Sequence, residues 1–433
     1  MEKIKTTVKV RRIMSHVMQK EEMKFNKKSP SLWVFSTYFA EGFPYMMTKV
    51  LSFVFFTDAG VREAWLGLLN FLGIPWNIKF LWSPLVDLFG TKKSWMLKVQ
   101  FLLTLLMAVL AILAGFYHRG EGNGYLSAIA FIFVAMAFLG ATNDITIDGY
   151  YMEGITDKRE QAAYSGLRQM AYRVAVVYAR VVLVGVAGLA NWFWGFGVGA
   201  LTMAFIWLFH KFFLADFRSP KAQEGSALGF KDAFRSYLSQ EKIILVLCFV
   251  ATYKLGDEIL FAMNTPFLMR ELLVSKTQLA WLSGAVGAAS TVAGALFSAW
   301  WINKWGLKKT IWPLTLLMNI NIWAYVGLAH YKPLATTSTG IAIIALVHGY
   351  EQWAAGLGGT VLMVYLMRLC KVEFKAAHYA IGSAIMSLGS TFVGGFGGFF
   401  VEAFGYTRLF ILGFFASIPA MLMLFWIPLH EDR

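Results

Sequence analysis

The sequence has few charged residues and no long polar domain. Charged residues make up 15% of its 433 residues, whereas soluble domains average about 25%. Hydrophobic residues make up 58% of the chain and are spread along its length, in runs long enough to cross a bilayer. This composition excludes a water-soluble protein with a single membrane anchor.

The sequence also lacks the residue patterns of metal, cofactor and catalytic sites. Its two cysteines, Cys248 and Cys370, lie within or at the end of apolar runs and have no metal-ligand spacing. It has no nucleophile–base–acid arrangement and no phosphate loop. We therefore predict that the protein holds no metal or cofactor and is not an enzyme.

Acidic residues are scarce relative to basic ones, with 25 against 39 and a net charge of +14. This excess does not indicate nucleic acid, because the basic residues occupy the first 31 positions and the short gaps between apolar runs. With the N-terminus in the cytoplasm, about 26 basic residues lie on that side and about 6 on the other. We predict that both termini are cytoplasmic and that nucleic acid is not a partner.

Twelve apolar runs are each long enough for a spanning helix. They cover 32–56, 65–86, 95–117, 125–148, 161–189, 192–215, 242–268, 278–302, 310–330, 338–367, 374–400 and 405–428. The polar stretch 216–241 divides them six and six. The predicted fold is therefore an all-α integral membrane protein in a lipid bilayer. It has two pseudo-symmetric six-helix bundles, 31–215 and 242–430, a cytoplasmic linker, 216–241, and a basic cytoplasmic tail, 1–30.

A tight turn is repeated at half-chain spacing. The second run is followed by Asp87-Leu-Phe-Gly90-Thr-Lys92-Lys93, and the eighth by Asn303-Lys-Trp-Gly306-Leu-Lys-Lys. Glycine permits the left-handed backbone that a short turn between helices often needs. The repeat indicates that the two halves are related, as in many transporters.

The Asp87 turn resembles the signature loop of the major facilitator superfamily, and the second turn resembles its degenerate copy. Longer stretches resemble one branch of that superfamily, the AmpG muropeptide permeases and the related acetyl-coenzyme A transporters. These stretches are 78–85, 141–148, 172–173, 253–257 and 399–405.

The resemblance implies that a monomer imports anhydro-muropeptides across the inner membrane by proton-driven alternating access. It also implies that Asp87, Gly90, Lys92 and Lys93 form a gating loop. Two other hypotheses stay open: a transporter of acetyl-coenzyme A or another organic anion, and a non-transporting scaffold for a membrane complex. Residues 149–153 and 167–180 depart from the usual permease pattern near the predicted site.

Twelve charged residues fall within the apolar runs. Each costs about 2.5–3.5 kcal/mol when it faces lipid near a helix centre, so most must face a polar cavity, one another or a helix end. The acidic residues are Glu41, Asp144, Asp148, Asp257, Glu258 and Glu351, and the basic ones are Lys49, Lys79, Arg168, Arg173, Arg180 and Lys254.

Asp144 and Asp148 are four residues apart on the fourth helix and share a face. Two close carboxyls can share a proton, which suits proton transport. Alternatively, both pair with Arg168 and Arg173 of the fifth helix and only hold the bundle together. Asn143 beside them offers a hydrogen bond to a substrate.

In the second half, Lys254 has the spacing to pair with Asp257 or Glu258, either permanently or in a pair that opens during transport. Glu351 follows His348 by three residues, a pattern that fits a proton relay or a packed histidine. Trp353 offers a ring for stacking on a sugar or acyl group.

Glu41 precedes Gly42 and Pro44, which loosen the first helix, and broken helices beside a charge often line a site.

From these patterns we assign proton coupling to Asp144, Asp148, Asp257 and Glu351. We assign substrate binding to Glu41, Asn143, Arg168, Arg173, Lys254 and Trp353. In addition, the spacing of Gly394 and Gly398 predicts close helix packing or a helix contact that moves during transport.

Overall fold

The computed structural model describes residues 30–118, 124–217, 232, 234–371 and 375–429. Within these ranges the structure is helical and contains no strand. The predicted basic tail, apart from Pro30, and most of the predicted linker lie outside the described residues.

Within the described ranges, twelve helical segments match the twelve apolar runs. In the first half they are α1 (30–58), α2 (63–88), α3 (Lys92–His118), α4 (Gly124–Gly154), α5 (158–189) and α6 (Trp192–Phe213). In the second half they are α7 (243–271), α8 (276–305), α9 (Leu307–Tyr331), α10 (Ser338–Leu369), α11 (375–404) and α12 (406–423). The last two meet at Gly405, where φ is +80°.

Seven stretches of the described chain are able to cross a membrane, judged by length and composition. They are Lys92–His118, Gly124–Gly154, Arg159–Leu189, Trp192–Phe213, Lys276–Trp305, Leu307–Tyr331 and Ile381–Met423, the last containing both α11 and α12. The segments outside this set, α1, α2, α7 and α10, carry most of the charges predicted at membrane depth. Two of them, α2 and α7, are interrupted by 3₁₀ turns and by the break at 253–254, so neither forms one long regular helix.

Several of the described helices contain an irregular turn. There are π turns at Met47–Leu51, Ala179–Leu183, Leu282–Val286 and Phe267–Glu271, 3₁₀ turns at Leu69–Gly73 and Lys79–Leu81, and a break in α7 at 253–254. These turns contain most of the basic residues predicted at membrane depth: Lys49, Lys79, Arg180 and Lys254. Irregular turns inside helices redirect side chains and often mark functional sites.

The chain divides into two compact units. The first contains α3, α4 and α6 with 30–48, 78–88 and 158–179, and the second contains α7 to α12 with 49–77 and 180–189. The chain passes from one unit to the other within the π turns of α1 and α5. The backbone hydrogen-bond pattern therefore changes from the α type to the wider π type at the points where these two helices change unit.

Each unit has its own apolar core. In the first, Trp33 meets the edge of Tyr150 at a centroid distance of 5.3 Å, and in the second Phe249 meets Tyr365 at 5.1 Å. α8 and α10 approach so closely that a Cβ on Gly294 would lie 2.0 Å from a backbone oxygen of α10. This contact fixes the position of α10, the helix that carries Glu351.

The two repeated turns have the backbone that the sequence predicts. Gly90 has a φ of +82° and Gly306 a φ of +77°, both in the region that favours glycine. Each glycine lies directly between two consecutive helices of the predicted repeat.

Candidate functional site

The first unit holds a cluster of charged side chains from four helices, which we call the Asp148 cluster. Its members are Tyr38 and Glu41 of α1, Lys79 of α2, Asp144 and Asp148 of α4, and Arg168 of α5. Both aspartates reach the same cluster, as their four-residue spacing predicts.

Asp148 is held by two partners. Arg168 Nη2 lies 2.9 Å from Asp148 Oδ1, and the Tyr38 hydroxyl donates to the same oxygen at 2.9 Å. The Arg168 guanidinium carbon also lies 4.2 Å from the ring centroid of Tyr38 and 4.5 Å from that of Tyr151. A planar guanidinium stacks on aromatic rings in a way that an ammonium cannot, so these contacts select arginine.

Asp144 pairs with a lysine of α2 and not with an arginine of α5. Lys79 Nζ and Asp144 Oδ2 form an ion pair, and Asp144 is buried. Of the two arginines considered as partners, Arg168 binds Asp148, whereas Arg173 is exposed. Sequence spacing does not reveal the Lys79 contact, because it joins helices across 65 residues.

Glu41 adds a third carboxyl to the Asp148 cluster. It lies within hydrogen-bonding reach of Asp144, and its Oε2 is buried without a hydrogen-bond partner among the described residues. The three carboxyls of the cluster therefore meet two cations, Lys79 and Arg168. Because a buried carboxylate without a counter-ion is costly, the cluster is best satisfied when its acids share one proton.

Asn143 belongs to a buried polar network beside the cluster. His210 Nδ1 lies 2.9 Å from Gln100 Oε1, and the Gln100 amide donates to Asn143 Oδ1 at 3.3 Å. Asn143 in turn donates to the Ala40 carbonyl at 2.8 Å, and His210 Nε2 lies 3.2 Å from the Ser36 hydroxyl. The network fixes Asn143 and ties α1, α3, α4 and α6 together. Sequence reasoning missed it, although lone polar residues in apolar runs are its signal.

The second unit holds another set of polar groups, which we call the Glu351 cluster: Lys254, Asp257, Glu258, Tyr325, His348 and Glu351. His348 Nδ1 lies 2.9 Å from the Tyr325 hydroxyl and 3.4 Å from Glu351 Oε2. Tyr325 donates to Asn264 at 3.3 Å. Glu351 is fully buried, and Gln352 donates to its Oε2 at 3.1 Å.

Lys254 lies between two acids of α7. Its Nζ is 3.4 Å from Asp257 Oδ2 and 3.6 Å from Glu258 Oε1, so it reaches both partners that the spacing allows. Asp257 is buried at 1% exposure, whereas the Glu258 side chain is 29% exposed. The shared lysine leaves two carboxylates with one contacting cation.

The remaining predicted residues lie outside these clusters. Trp353 packs against Phe297 of α8 at a centroid distance of 5.5 Å and is partly buried. In the Asp87 turn, the Asp87 side chain lies outside the described part of the structure. Lys92 is buried and donates to the Val86 carbonyl at 3.2 Å, and Lys93 donates to the Leu214 carbonyl.

A set of ion pairs surrounds the turn between α1 and α2, and sequence reasoning assigned them no role. We call this set the α1–α2 clamp: Arg270–Glu63 at 2.8 Å, Lys276–Asp58 at 2.7 Å and Arg62–Glu402 at 2.7 Å. All its members belong to the second unit.

Family profiles and solved structures define the class of protein. The profile described as Major Facilitator Superfamily matches residues 247–433, and the profile described as Acetyl-coenzyme A transporter 1 matches 33–171. A point mutant of the nucleoside transporter NupG aligns with a TM-score of 0.67 and 14% identity, over 92% of this chain and 98% of its own. An inward-facing bacterial homologue of the human lysosomal transporter Spinster aligns with a TM-score of 0.64 and 15% identity, over 94% and 96%. The fold is that of the major facilitator superfamily, and the protein is a multi-pass membrane transporter and not an enzyme.

Sequence relatives place the chain more narrowly, beside the AmpG permeases. The anhydromuropeptide permease of Escherichia coli (strain K12) is 25% identical over 395 residues, which are 89% of this chain and 77% of that protein. Putative transporter AmpG 4 of Rickettsia felis is 23% identical over 401 residues, 89% of this chain and 93% of that protein. These relatives confirm the resemblance to the AmpG permeases that the sequence motifs indicate.

Proposed function

We propose that this protein imports anhydro-muropeptides across the inner membrane together with protons, by alternating access of a central site. The observation that carries the proposal is the Asp148 cluster, in which three carboxyls meet two cations at membrane depth. Similarity to the E. coli permease supports the class of substrate. A muropeptide combines sugar with a carboxylate-bearing peptide, which suits a site that has both acids and bases.

The acids of both clusters carry the proton in this proposal. A proton shared by Glu41, Asp144 and Asp148 balances the charge of the first cluster, and its loss to the cytoplasm leaves an unpaired carboxylate there. Asp257 and Glu351 offer a second acidic centre. Because the two charge states differ in electrostatic energy, proton binding biases the conformational equilibrium of the transporter.

The bases bind the substrate carboxylates. Arg168 and Lys254 lie beside carboxylates that a substrate carboxylate can displace, and Arg173 is exposed on α5. Trp353 offers a partly exposed side chain. The Asn143 side chain accepts a hydrogen bond from Gln100 and donates one to the Ala40 carbonyl. It therefore holds the position of α4 beside the substrate-binding residues.

The architecture in this proposal has two moving bundles, 31–215 and 242–430, in a monomer whose termini are both cytoplasmic. The Asp87 turn, with Gly90, Lys92 and Lys93, acts as a gating loop at the cytoplasmic side. Reporter fusions at either end of the chain test this orientation, and a fusion that is active only in the periplasm would contradict it.

The test is uptake of labelled anhydro-muropeptide by proteoliposomes under an imposed pH gradient. We expect Asp144→Asn and Asp148→Asn each to lower gradient-driven uptake about tenfold or more, because a transport step without its proton carrier loses the driving force. Counterflow exchange, which needs no net proton movement, should persist. Asp157→Asn is the matched control. Asp157 is exposed at the start of α5, where it accepts bonds from two backbone N–H groups, and asparagine caps helices as well as aspartate does.

The match to the acetyl-coenzyme A transporter profile supports a second candidate substrate. Labelled acetyl-coenzyme A in the same vesicles tests it. Uptake that excess muropeptide does not reduce would favour this candidate. If both aspartate variants behave like the unaltered protein, neither proton-coupled proposal survives, and a non-transporting scaffold becomes the better hypothesis.

A further inference from the structure

Lys49 is a membrane-depth cation whose charge is not neutralised at contact distance. Its Nζ donates one hydrogen bond, to the Asn70 carbonyl at 2.8 Å, and no carboxylate of the described residues lies within 4.0 Å of it. Glu258 acts on it electrostatically from farther away and is itself 3.6 Å from Lys254. An ammonium has three N–H donors, so two stay available.

Thr391 of α11 lies near the ammonium, and Asn77 of α2 contacts Thr391. A Cβ on Gly73 would lie 3.3 Å from Lys49 Nζ and 3.6 Å from Thr391 Oγ1, so both groups converge on this glycine. Asn77, one turn farther along α2, donates to Thr391 Oγ1 at 3.4 Å and keeps a second N–H. Ser387 donates to Asn77 Oδ1 at 2.7 Å and so orients the amide. Thr391 donates its own hydroxyl hydrogen to the Ser387 carbonyl at 2.8 Å, so it acts towards Asn77 as an acceptor.

The backbone at this place is irregular on two helices. Lys49 lies in the π turn Met47–Leu51, and Asn70 and Gly73 lie in the 3₁₀ turn Leu69–Gly73. Such turns are uncommon in helix interiors and frequently accompany binding sites. The Lys49 residue is only partly buried.

We propose that Lys49 and Asn77, with Thr391 positioning the Asn77 amide, form a subsite for one carboxylate of the transported ligand. This inference rests on the proposed function and names the group that the substrate presents. One ammonium beside one free amide N–H matches the single negative charge and the two oxygens of a carboxylate.

The charges of the second unit connect this subsite to proton coupling. Three acids, Asp257, Glu258 and Glu351, and three bases, Lys49, Arg180 and Lys254, lie at membrane depth in that unit. A carboxylate bound at Lys49 adds a negative charge, and a proton on one of the acids offsets it. Substrate and proton thus favour each other's binding through charge balance.

The test compares two probes in proteoliposomes: an anhydro-muropeptide with free peptide carboxylates and the same molecule with its carboxylates converted to carboxamides. The unaltered protein should take up the carboxylate form with a KM at least about tenfold lower, as expected for a charge-assisted hydrogen bond. Lys49→Met should raise the KM for the carboxylate form several-fold, towards that of the carboxamide form, and leave the KM of the carboxamide form unchanged, because Arg168 and Lys254 still bind other carboxylates of the ligand. Lys211→Met, at an exposed position on α6, is the matched control.

Two further variants keep the test decisive if Lys49→Met does not fold. Thr391→Val keeps the side-chain shape without the hydroxyl and should reduce the discrimination several-fold, whereas Lys49→Arg keeps the charge and should preserve most of it. Equal loss of uptake for both probes in these variants would mean that Lys49 only holds α1 against α2, which overturns the subsite. An unaltered protein that takes up both probes equally also overturns it. If the unaltered protein takes up neither probe, the proposed function itself fails.

Discussion

Arg270 of α7 binds Glu63 at the start of α2, with 2.8 Å between Nη1 and Oε1. The same guanidinium donates to two backbone carbonyls of the intervening turn, those of Thr57 at 2.8 Å and Val61 at 2.7 Å. One side chain therefore satisfies three acceptors of the turn between α1 and α2, and it is the centre of the α1–α2 clamp.

Removal of this guanidinium should loosen the turn. Arg270→Met leaves two carbonyls and a carboxylate without their donor, at a cost of about 1–3 kcal/mol for each buried group that water does not reach. We expect amide hydrogen exchange in 57–63 to accelerate at least about tenfold, which corresponds to about 1.4 kcal/mol. Hydrogen exchange followed by mass spectrometry, on both proteins in nanodiscs, measures the difference in exchange rate.

Arg62→Met is the control for that experiment. Arg62 also belongs to the clamp and pairs with Glu402 at 2.7 Å, but its side chain is 74% exposed. Exposed ion pairs contribute about 0–1 kcal/mol, so exchange should change less than about fivefold. Equal acceleration in both variants would contradict the special role of Arg270.

A methyl group on Gly398 should separate α11 from α2. A Cβ there would lie 1.8 Å from the Glu63 carbonyl oxygen and 2.9 Å from the Gly67 nitrogen, so backbone must move to admit it. Gly398→Ala should cost about 1–3 kcal/mol, which thermal unfolding in detergent detects as a lower midpoint. The small-residue spacing predicts this close contact.

Gly359→Ala on α10 is the counterpart, because a Cβ at Gly359 meets no atom within 4 Å. Alanine favours a helix over glycine by about 1 kcal/mol, so this variant should be neutral or slightly more stable. A similar midpoint for the two alanine variants would show that the close approach of α11 does not limit stability.

Arg168 and Asp148 should show coupled effects on stability. Their side chains are 33% and 37% exposed, so the energy of this ion pair should lie between that of an exposed pair and that of a fully buried pair. We expect a coupling energy of about 1–2 kcal/mol in a double-mutant cycle of Arg168→Gln and Asp148→Asn. Unfolding midpoints of the four proteins measure it, and strictly additive changes would mean that the ion pair contributes nothing.

Local sequence patterns predict much of the fold. The twelve apolar runs match the twelve segments α1 to α12 within a few positions, because about 20 apolar residues are needed to cross a bilayer. The largest difference is at α4. The apolar run predicts that this helix ends at 148, but it continues to Gly154, because a helix can extend into a polar segment beyond its apolar part. Gly90 and Gly306 adopt positive φ as their place in a short turn predicts.

The same reasoning finds contacts within one helix but not between helices. The spacing of Lys254, Asp257 and Glu258 predicts their ion pairs, because residues three and four apart share a helix face. It does not predict that Asp144 pairs with Lys79, nor that His210 joins Gln100 in a buried network. These contacts depend on how distant helices rotate and approach one another.

The sequence by itself determined that this protein is a helical membrane transporter whose motifs resemble those of the major facilitator superfamily, because apolar length and motif spacing are local properties of the chain. Only the tertiary structure decided which charges meet. It gathers Glu41, Asp144 and Asp148 around two cations in one unit, and it places Lys49 in the other, beside α2 and α11. The physical reason is that the energy of a charge at membrane depth depends on its neighbours in space, and neighbours in space are set by the packing of helices and the irregular turns within them.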